Sequence, residues 1–232
     1  MDRARFAATL FSASVAMLAT AAAAQDARQN TPGEFDFYVL SLSWSPSFCE
    51  AGAERGRTPE QQCGERSSPY TFVVQGFWPQ YDTGFPEYCQ VPAPRLDRNI
   101  VGSMLDIMPS PQLVYRQWDR HGTCSGLAAR AYFDSVRKAR AVVKIPGDYL
   151  DVKTSITVTP AEVEDAFVKA NPGLTPGAIA VGCDSRRLRE VRICMTKDLG
   201  FRECAEIDRR ACRRDQIVMP PVRGLTKTSA RD

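Results

Sequence analysis

The chain has 232 residues, of which 44% are hydrophobic and 25% are charged. These fractions are typical of a soluble globular protein, and the length suits one large domain or two small ones. The formal net charge is only +3. This excludes a protein that holds nucleic acid by bulk electrostatic attraction, so any such contact must come from a focused site.

The N-terminus has the pattern of an export signal. Arg3 and Arg5 precede an uncharged run, 6–24, that ends in small residues with an A-x-A pattern. This pattern predicts a signal peptide over residues 1–24. An uncleaved membrane anchor is the alternative, because the run is nearly long enough to span a bilayer. The polar residues that follow, 25–34, show no periodicity and predict a flexible leader.

Two apolar stretches predict β-strands in the first third of the chain. Residues 35–44, FDFYVLSLSW, carry apolar side chains on both alternating faces, which is typical of a central strand covered on both sides. Residues 71–79, TFVVQGFWP, predict a second strand that breaks at a glycine, so that Gln75 lies at or near its end. Functional side chains are common at such ends. Apolar residues four apart then predict a helix between 96 and 108.

The stretch QWDRHGTC contains His121, the only histidine of the chain. If residues 112–122 form a helix, Gln117 and His121 share a face, and Arg116 and Arg120 line the adjacent edge. Such a helix would present an imidazole, an amide and two guanidinium groups to one cleft. Two guanidinium groups suit a phosphate, which each can bind in a bidentate manner. The alternative is a solvated helix with a structural histidine.

The second half of the chain combines one clear helix with short strands. The sequence TPAE, 159–162, is a capping box with proline at the first helical position, and it predicts a helix that ends at the NPG sequence after residue 170. From 178 to 222, short apolar runs alternate with turn and cysteine positions, which indicates strands with disulfide-pinned loops. Because we find no internal repeat and no linker, residues 35–232 are predicted to form one α+β domain.

Eight cysteines follow the predicted signal peptide, and an even number in an exported protein indicates a complete set of disulfides. A zinc site is the competing interpretation, but the sequence has no C-x-x-C pair and only one histidine to complete such a site. The spacing alone leaves the pairing open.

Several stretches, in the same order, resemble the ribonuclease T2 family, particularly its bacterial secreted members. FYVLSLSWSPSFC resembles the family's first strand, and FVVQGFWPQY its first active-site motif, usually F-x-x-H-G-L-W-P. QLVYRQWDRHGTCSGL resembles the second motif, usually H-E-W-x-K-H-G-T-C, and ANPGL, LREVRIC and MPPVR resemble the C-terminal half. The resemblance implies a disulfide-braced α+β fold in which helices flank a central antiparallel sheet. It also implies a monomer that needs no metal or other cofactor.

The departures from the family pattern fall in the two active-site motifs. The family cleaves RNA by attack of a ribose 2′-hydroxyl on phosphorus, with one histidine as base and another as acid. The resemblance assigns the base to His121 and the acid to the position of Gln75, and an amide cannot release a proton. Arg116 and Gln117 replace the usual H-E, and Arg120 replaces the usual lysine. Losing a positioned acid typically costs a factor of about 10² to 10⁴ in rate.

The residues that would bind RNA are less altered than those that would cleave it. Arg116 and Arg120 keep the positive charge and are expected to bind phosphate. The resemblance implies that Trp78 stacks on a nucleobase, and Gln80 is expected to meet a base edge. The alternative for Trp78 is a core aromatic at a strand end.

The resemblance also implies a disulfide pairing. The expected pairs are Cys49–Cys63, Cys89–Cys124, Cys183–Cys212 and Cys194–Cys204.

Three hypotheses for the function follow. The first is an exported, periplasmic or extracellular protein of this family that has little or no nuclease activity and binds RNA or nucleotides or acts through surface contacts. The second is a slow but genuine endoribonuclease in which an arginine or water replaces the missing acid. The third is a secreted scaffold or inhibitor that uses only the braced fold. Cleavage of a defined oligoribonucleotide separates the first two, and the third predicts no nucleotide binding.

Overall fold

The computed structural model describes residues 29–57, 59–65 and 67–223. The predicted signal peptide and the first residues of the predicted leader lie outside the described residues. From Gln29 onward the leader contacts the domain: Gly33 N–H donates to the carbonyl of Cys124 at 2.9 Å, and Glu87 N–H donates to Asn30 Oδ1 at 3.0 Å. Within the described residues, we find no helix whose length and apolar character would allow it to cross a membrane.

A four-stranded antiparallel sheet in the order β2-β1-β5-β4 forms the centre of the domain. Its strands are β1 (Phe37–Trp44), β2 (Phe72–Gln80), β4 (Ile179–Cys183) and β5 (Leu188–Met195). A separate two-stranded sheet contains β3 (Ile156–Val158) and β6 (Ile217–Met219). All eight residues of β1 are buried, as the sequence predicts for a central strand. The α+β fold class is also as predicted.

The second strand does not break at its glycine, which corrects the sequence-based prediction. Ser41 pairs with Gly76, but the next residue of β1, Leu42, pairs with Val74. Gln75 is therefore the extra residue of a β-bulge, and the strand continues beyond it to Gln80. The side chain that the sequence places at a strand end thus lies inside a strand.

Seven α-helices surround the sheet in the described part of the chain. They are α1 (Ser45–Ala53), α2 (Glu60–Cys63), α3 (Arg98–Met104), α4 (Pro111–Arg120), α5 (Ala129–Val142), α6 (Pro160–Ala170) and α7 (Ala205–Arg209). The capping box is present at α6, where Thr159 and Glu162 exchange side-chain-to-backbone hydrogen bonds. Helix α1 was not predicted. Pro46 lies in its first turn, where the missing N–H costs nothing.

The two faces of the sheet differ in chemistry. On one face, Leu40 and Leu42 belong to the main hydrophobic core, which also includes buried residues of the helices α3 to α6. On the opposite face, Phe37 and Val39 belong to a smaller apolar cluster. The next two residues of β1 on this face are the buried Ser41 and Ser43. We call this second surface the polar face, and it carries the candidate site.

Four disulfides brace the fold. They are Cys49–Cys63, Cys89–Cys124, Cys183–Cys212 and Cys194–Cys204, the pairing that the family resemblance implies. The second one ties the segment after β2 to the short 3-10 helix Gly122–Ser125, directly beyond α4. It therefore holds the end of α4 close to the polar face of the sheet.

Candidate active site

His121 lies at the end of α4 and not inside it. The helix ends at Arg120, and His121 is its C-cap with φ −123°. The sequence-based prediction of a helix over 112–122 is corrected here, because the chain turns at once into a 3-10 helix. The N–H of His121 still donates to the carbonyl of Gln117 at 3.0 Å, so the two residues remain one turn apart.

The imidazole of His121 is buried between aromatic rings. Only 8% of the residue is exposed, and its ring centroid lies 5.9 Å from that of Trp78 and 6.1 Å from that of Phe85. Burial lowers the pKa of His121 to about 4, and the positive charge of Arg120 contributes to the shift. The ring is therefore neutral at pH 7 and is able to accept a proton.

A cleft of about 260 Å³ opens beside this imidazole; we call it the His121 cleft. It is lined by Trp78, Gln80, Phe85, Arg120, His121, Arg192, Ile207 and Arg210. The structure thus brings together four residues that the sequence singled out, namely Trp78, Gln80, Arg120 and His121. Phe85, Arg192 and Arg210 were missed. A signal for Arg192 exists in the sequence, since Glu190 and Arg192 lie two residues apart and the rest of the strand from Val191 onward is apolar.

Gln80 supports the tryptophan instead of facing a ligand. The residue is 1% exposed. Its Nε2 donates to the carbonyl of Gly84 at 2.7 Å, and its Oε1 accepts from Trp78 Nε1 at 2.8 Å. These contacts argue against the predicted base-edge contact of Gln80, because the amide is occupied in fixing the Trp78 indole.

The two arginines of α4 do not face one cleft. Arg120 lines the His121 cleft and donates from Nε to Glu87 Oε2 at 2.7 Å. Arg116 lies one turn earlier on the helix and is exposed. It is not among the described residues that line the His121 cleft. Of the two predicted phosphate ligands, only Arg120 thus lies beside His121.

Gln117 packs directly on the sheet at Gly76. A Cβ placed on Gly76 would lie 3.2 Å from both amide atoms of Gln117, so a larger residue would push the amide away. Gln117 Oε1 is buried and, among the described residues, has no hydrogen-bond partner. Helix α4 and strand β2 therefore meet at a buried acceptor without a partner, one turn before His121 and close to Trp78.

Gln75 opens into a different and larger space of about 410 Å³, which we call the Gln75 cleft. It is lined by Ser43, Ser47, Phe48, Ala51, Arg55, Gln75, Asp184, Arg189 and Glu190. Glu190 lines the Gln75 cleft and Arg192 the His121 cleft, and the two side chains form an ion pair at 2.6 Å. The two clefts are therefore neighbours on the polar face, separated by this pair.

The chain matches the Ribonuclease T2 family over residues 35–204. It belongs to the ribonuclease T2 family. A ribonuclease from Aeromonas hydrophila is 32% identical over 169 residues, which are 72% of this chain and 74% of that protein.

Among the described residues, no group of three or more His, Cys, Asp or Glu side chains is placed to hold a metal ion.

Solved structures show that the fold is the ribonuclease T2 fold. The RNase-related protein from Calystegia sepium has a TM-score of 0.64 at 22% identity, covering 82% of this chain and 98% of that one. RNase NT in complex with 5′-AMP has a TM-score of 0.61 at 21% identity, covering 81% of this chain and 99% of that one. The two family motifs thus come to lie on β2 and at the end of α4.

Proposed function

We propose that this protein binds RNA or nucleotides through the His121 cleft and cleaves RNA slowly or not at all. The observation that carries the proposal is the glutamine at position 75, where the family's first motif has histidine, in a chain whose only imidazole is His121. An amide donates a hydrogen bond but releases no proton. The chain therefore lacks an imidazole acid for the departing 5′-oxygen.

The side chains of the His121 cleft suit the first half of the family reaction. A neutral His121 can take the proton from a ribose 2′-hydroxyl, and the positive charge of Arg120 can stabilise the phosphorane that forms. The product of the first transfer is a buried imidazolium next to that same positive charge. Without an acid to complete the second transfer, turnover should fall by a factor of about 10² to 10⁴.

The same cleft has the parts needed for base binding. The indole of Trp78 is fixed by its hydrogen bond to Gln80, so little side-chain freedom is lost when a base stacks on it. Stacking of this kind is worth about 1–3 kcal/mol per base. The solved structure of RNase NT holds 5′-AMP, which makes a mononucleotide a suitable probe for this site.

A slow but genuine endoribonuclease is the second candidate. The observation in its favour is that Arg120, Arg192 and Arg210 all line the cleft of His121. Arginines stabilise a phosphorane without transferring a proton, and water can then protonate the leaving group. The two candidates share the bound state and differ only in rate.

We further propose that the protein is exported and works in the periplasm or outside the cell. Four disulfides in a chain of this size support this proposal, because disulfides persist in oxidising compartments. Mass spectrometry of the protein recovered from the periplasm and medium of a producing culture tests it. Recovery of a reduced, uncleaved chain from the cytoplasm alone would contradict it.

Two assays on the purified, oxidised protein test the proposed function. Titration calorimetry with 5′-AMP should show saturable binding that weakens as salt rises and that weakens further in Arg120→Ala. Cleavage of a defined oligoribonucleotide should be slow or absent, and any cleavage should vanish in His121→Ala. No saturable binding at low ionic strength would favour a scaffold or inhibitor, whereas rapid cleavage that depends on His121 would show that another group supplies the proton.

A further inference from the structure

We infer that Arg192 is a phosphate-binding residue of the His121 cleft and that Glu190 and Ser41 hold it in position. The inference rests on the proposed function, since it assumes that the cleft takes a nucleotide phosphate. Arg192 lies on β5, outside both stretches that resemble the family's active-site motifs. Arg192 and His121 line the same cleft, and β5 lies on the other side of β1 from β2.

The pairing of the strands places Arg192 level with the contact between Gln117 and the sheet. Ser41 pairs with Gly76 on one side and with Arg192 on the other. Paired residues of antiparallel strands have their side chains on the same face. Neighbouring strands are about 4.8 Å apart, so the backbones of Gly76 and Arg192 lie about 10 Å apart along this row.

A buried carboxylate fixes the direction of the Arg192 side chain. Glu190 is 8% exposed, its Oε2 accepts from Ser41 Oγ at 2.5 Å, and its Oε1 accepts from Arg192 Nη2 at 2.6 Å. Both carboxylate oxygens are thus engaged. The bond through Nη2 holds the guanidinium of Arg192 where this residue lines the His121 cleft.

The guanidinium group of Arg192 also has a donor that lacks an acceptor. Its Nε is buried and has no hydrogen-bond partner in the part of the chain that the structure describes. Leaving such a donor unpaired in a buried position is unfavourable. An oxygen of a bound phosphate would satisfy it, and guanidinium edges bind phosphate oxygens in pairs.

Among the described residues, buried polar atoms without partners occur in and next to the His121 cleft. Within the described residues, four buried side-chain atoms have no hydrogen-bond partner, and three of them belong to Gln117, His121 and Arg192. The fourth, Ser47 Oγ, belongs to the neighbouring Gln75 cleft. The Arg192 atom requires an acceptor, whereas Gln117 Oε1 requires a donor. A ribonucleotide offers both, because its phosphate accepts and its ribose hydroxyls donate.

Arg192 differs from the other two arginines of the cleft in burial. Each of the three has a carboxylate partner: Arg120–Glu87, Arg192–Glu190 and Arg210–Glu206. The exposed fraction of the arginine side chain is 46%, 28% and 59% in that order. The charge of Arg192 is therefore the least screened by water, so we expect its contact with a phosphate to be the strongest of the three.

Titration calorimetry with 5′-AMP over a series of salt concentrations tests the inference. Arg192→Ala should weaken binding about tenfold or more and should make the affinity fall less steeply as salt rises, since one charged contact with the phosphate is lost. Arg192→Gln should show the same loss. Ser41→Ala and Glu190→Gln should each weaken binding by about threefold, because the guanidinium loses only its orientation. Arg130→Ala, which removes an exposed arginine from α5, is the matched control.

The outcomes separate the inference from the proposed function. Wild-type protein that shows no saturable binding would overturn both. Saturable wild-type binding with affinity and salt slope equal in Arg192→Gln and Arg130→Ala would overturn the role of Arg192 alone. If Arg192→Ala does not fold, as judged by circular dichroism, Arg192→Gln decides the question, because its amide keeps a hydrogen bond to Glu190 without the charge.

Discussion

The two clefts of the polar face lie side by side but are lined by different chemical groups. The His121 cleft, of about 260 Å³, contains the imidazole, two aromatic rings and three arginines. The Gln75 cleft is larger, about 410 Å³, and has an amide, two serines, two arginines, two carboxylates and one phenylalanine. Both therefore contain groups that bind an RNA strand, but only one contains an imidazole. Under the proposed function, the chain therefore keeps groups suited to RNA binding but lacks the second imidazole for proton transfer.

Restoring an imidazole to the Gln75 cleft should have the largest effect. Glutamine and histidine are similar in length, so Gln75→His should fit with little repacking. We expect oligoribonucleotide cleavage to rise by at least about 10²-fold, with a bell-shaped pH profile that reports two imidazoles. Gln216→His, which adds an imidazole at an exposed position before β6, is the matched control. A Gln75→His variant that folds normally and stays inert would show that the cleft has changed beyond the acid.

The buried imidazole should make the stability of the protein depend on pH. Burial lowers the pKa of His121 from 6.5 to about 4 in the folded state, so between these values only the unfolded chain binds the proton. The contribution of His121 to the free energy of unfolding is fully present above pH 6.5 and is lost as the pH falls towards 4. This contribution is about 3 kcal/mol. Urea unfolding at pH 7 and pH 4.5 should show a smaller difference for His121→Gln than for the wild type, and equal differences would contradict the assignment.

Removing the indole from the His121 cleft should weaken mononucleotide binding. Trp78→Ala deletes the proposed stacking surface, and we expect a loss of about 1–3 kcal/mol in the free energy of 5′-AMP binding. Phe48→Ala is the matched control from the other cleft, because Phe48 is also an accessible aromatic ring, 37% exposed. If calorimetry found equal losses in both variants, a stacking role specific to Trp78 would be contradicted.

A second substitution should add a smaller gain to the first. Gln117→Glu restores the carboxylate that the family's second motif usually carries, at the contact with Gly76. In the Gln75→His background we expect a further increase of about threefold to tenfold in cleavage. The two changes should combine less than additively, because both act on one transition state. Single-turnover rates of the two single variants and the double variant give this coupling directly, and full additivity would argue against a shared transition state.

Local patterns in the sequence predicted local features well. The apolar run of β1 predicted a central buried strand, and the TPAE sequence predicted the capping box of α6. The missed features depend on residues far apart in the chain. The bulge at Gln75 follows from pairing with β1, and the placement of Arg192 follows from the pairing of β1 with β5. The hydrogen bonds of Gln80 could not be predicted because one partner, the carbonyl of Gly84, belongs to the turn beyond the strand.

The bulge at Gln75 explains how the acid position can change while the fold does not. The extra residue of a bulge has no partner in the strand ladder, and this one is only half-buried and borders an open cleft. Stability therefore places almost no constraint on which side chain occurs there. Under the proposed function, the side chain at position 75 therefore matters for RNA cleavage far more than for folding, which depends on the strands and disulfides around it.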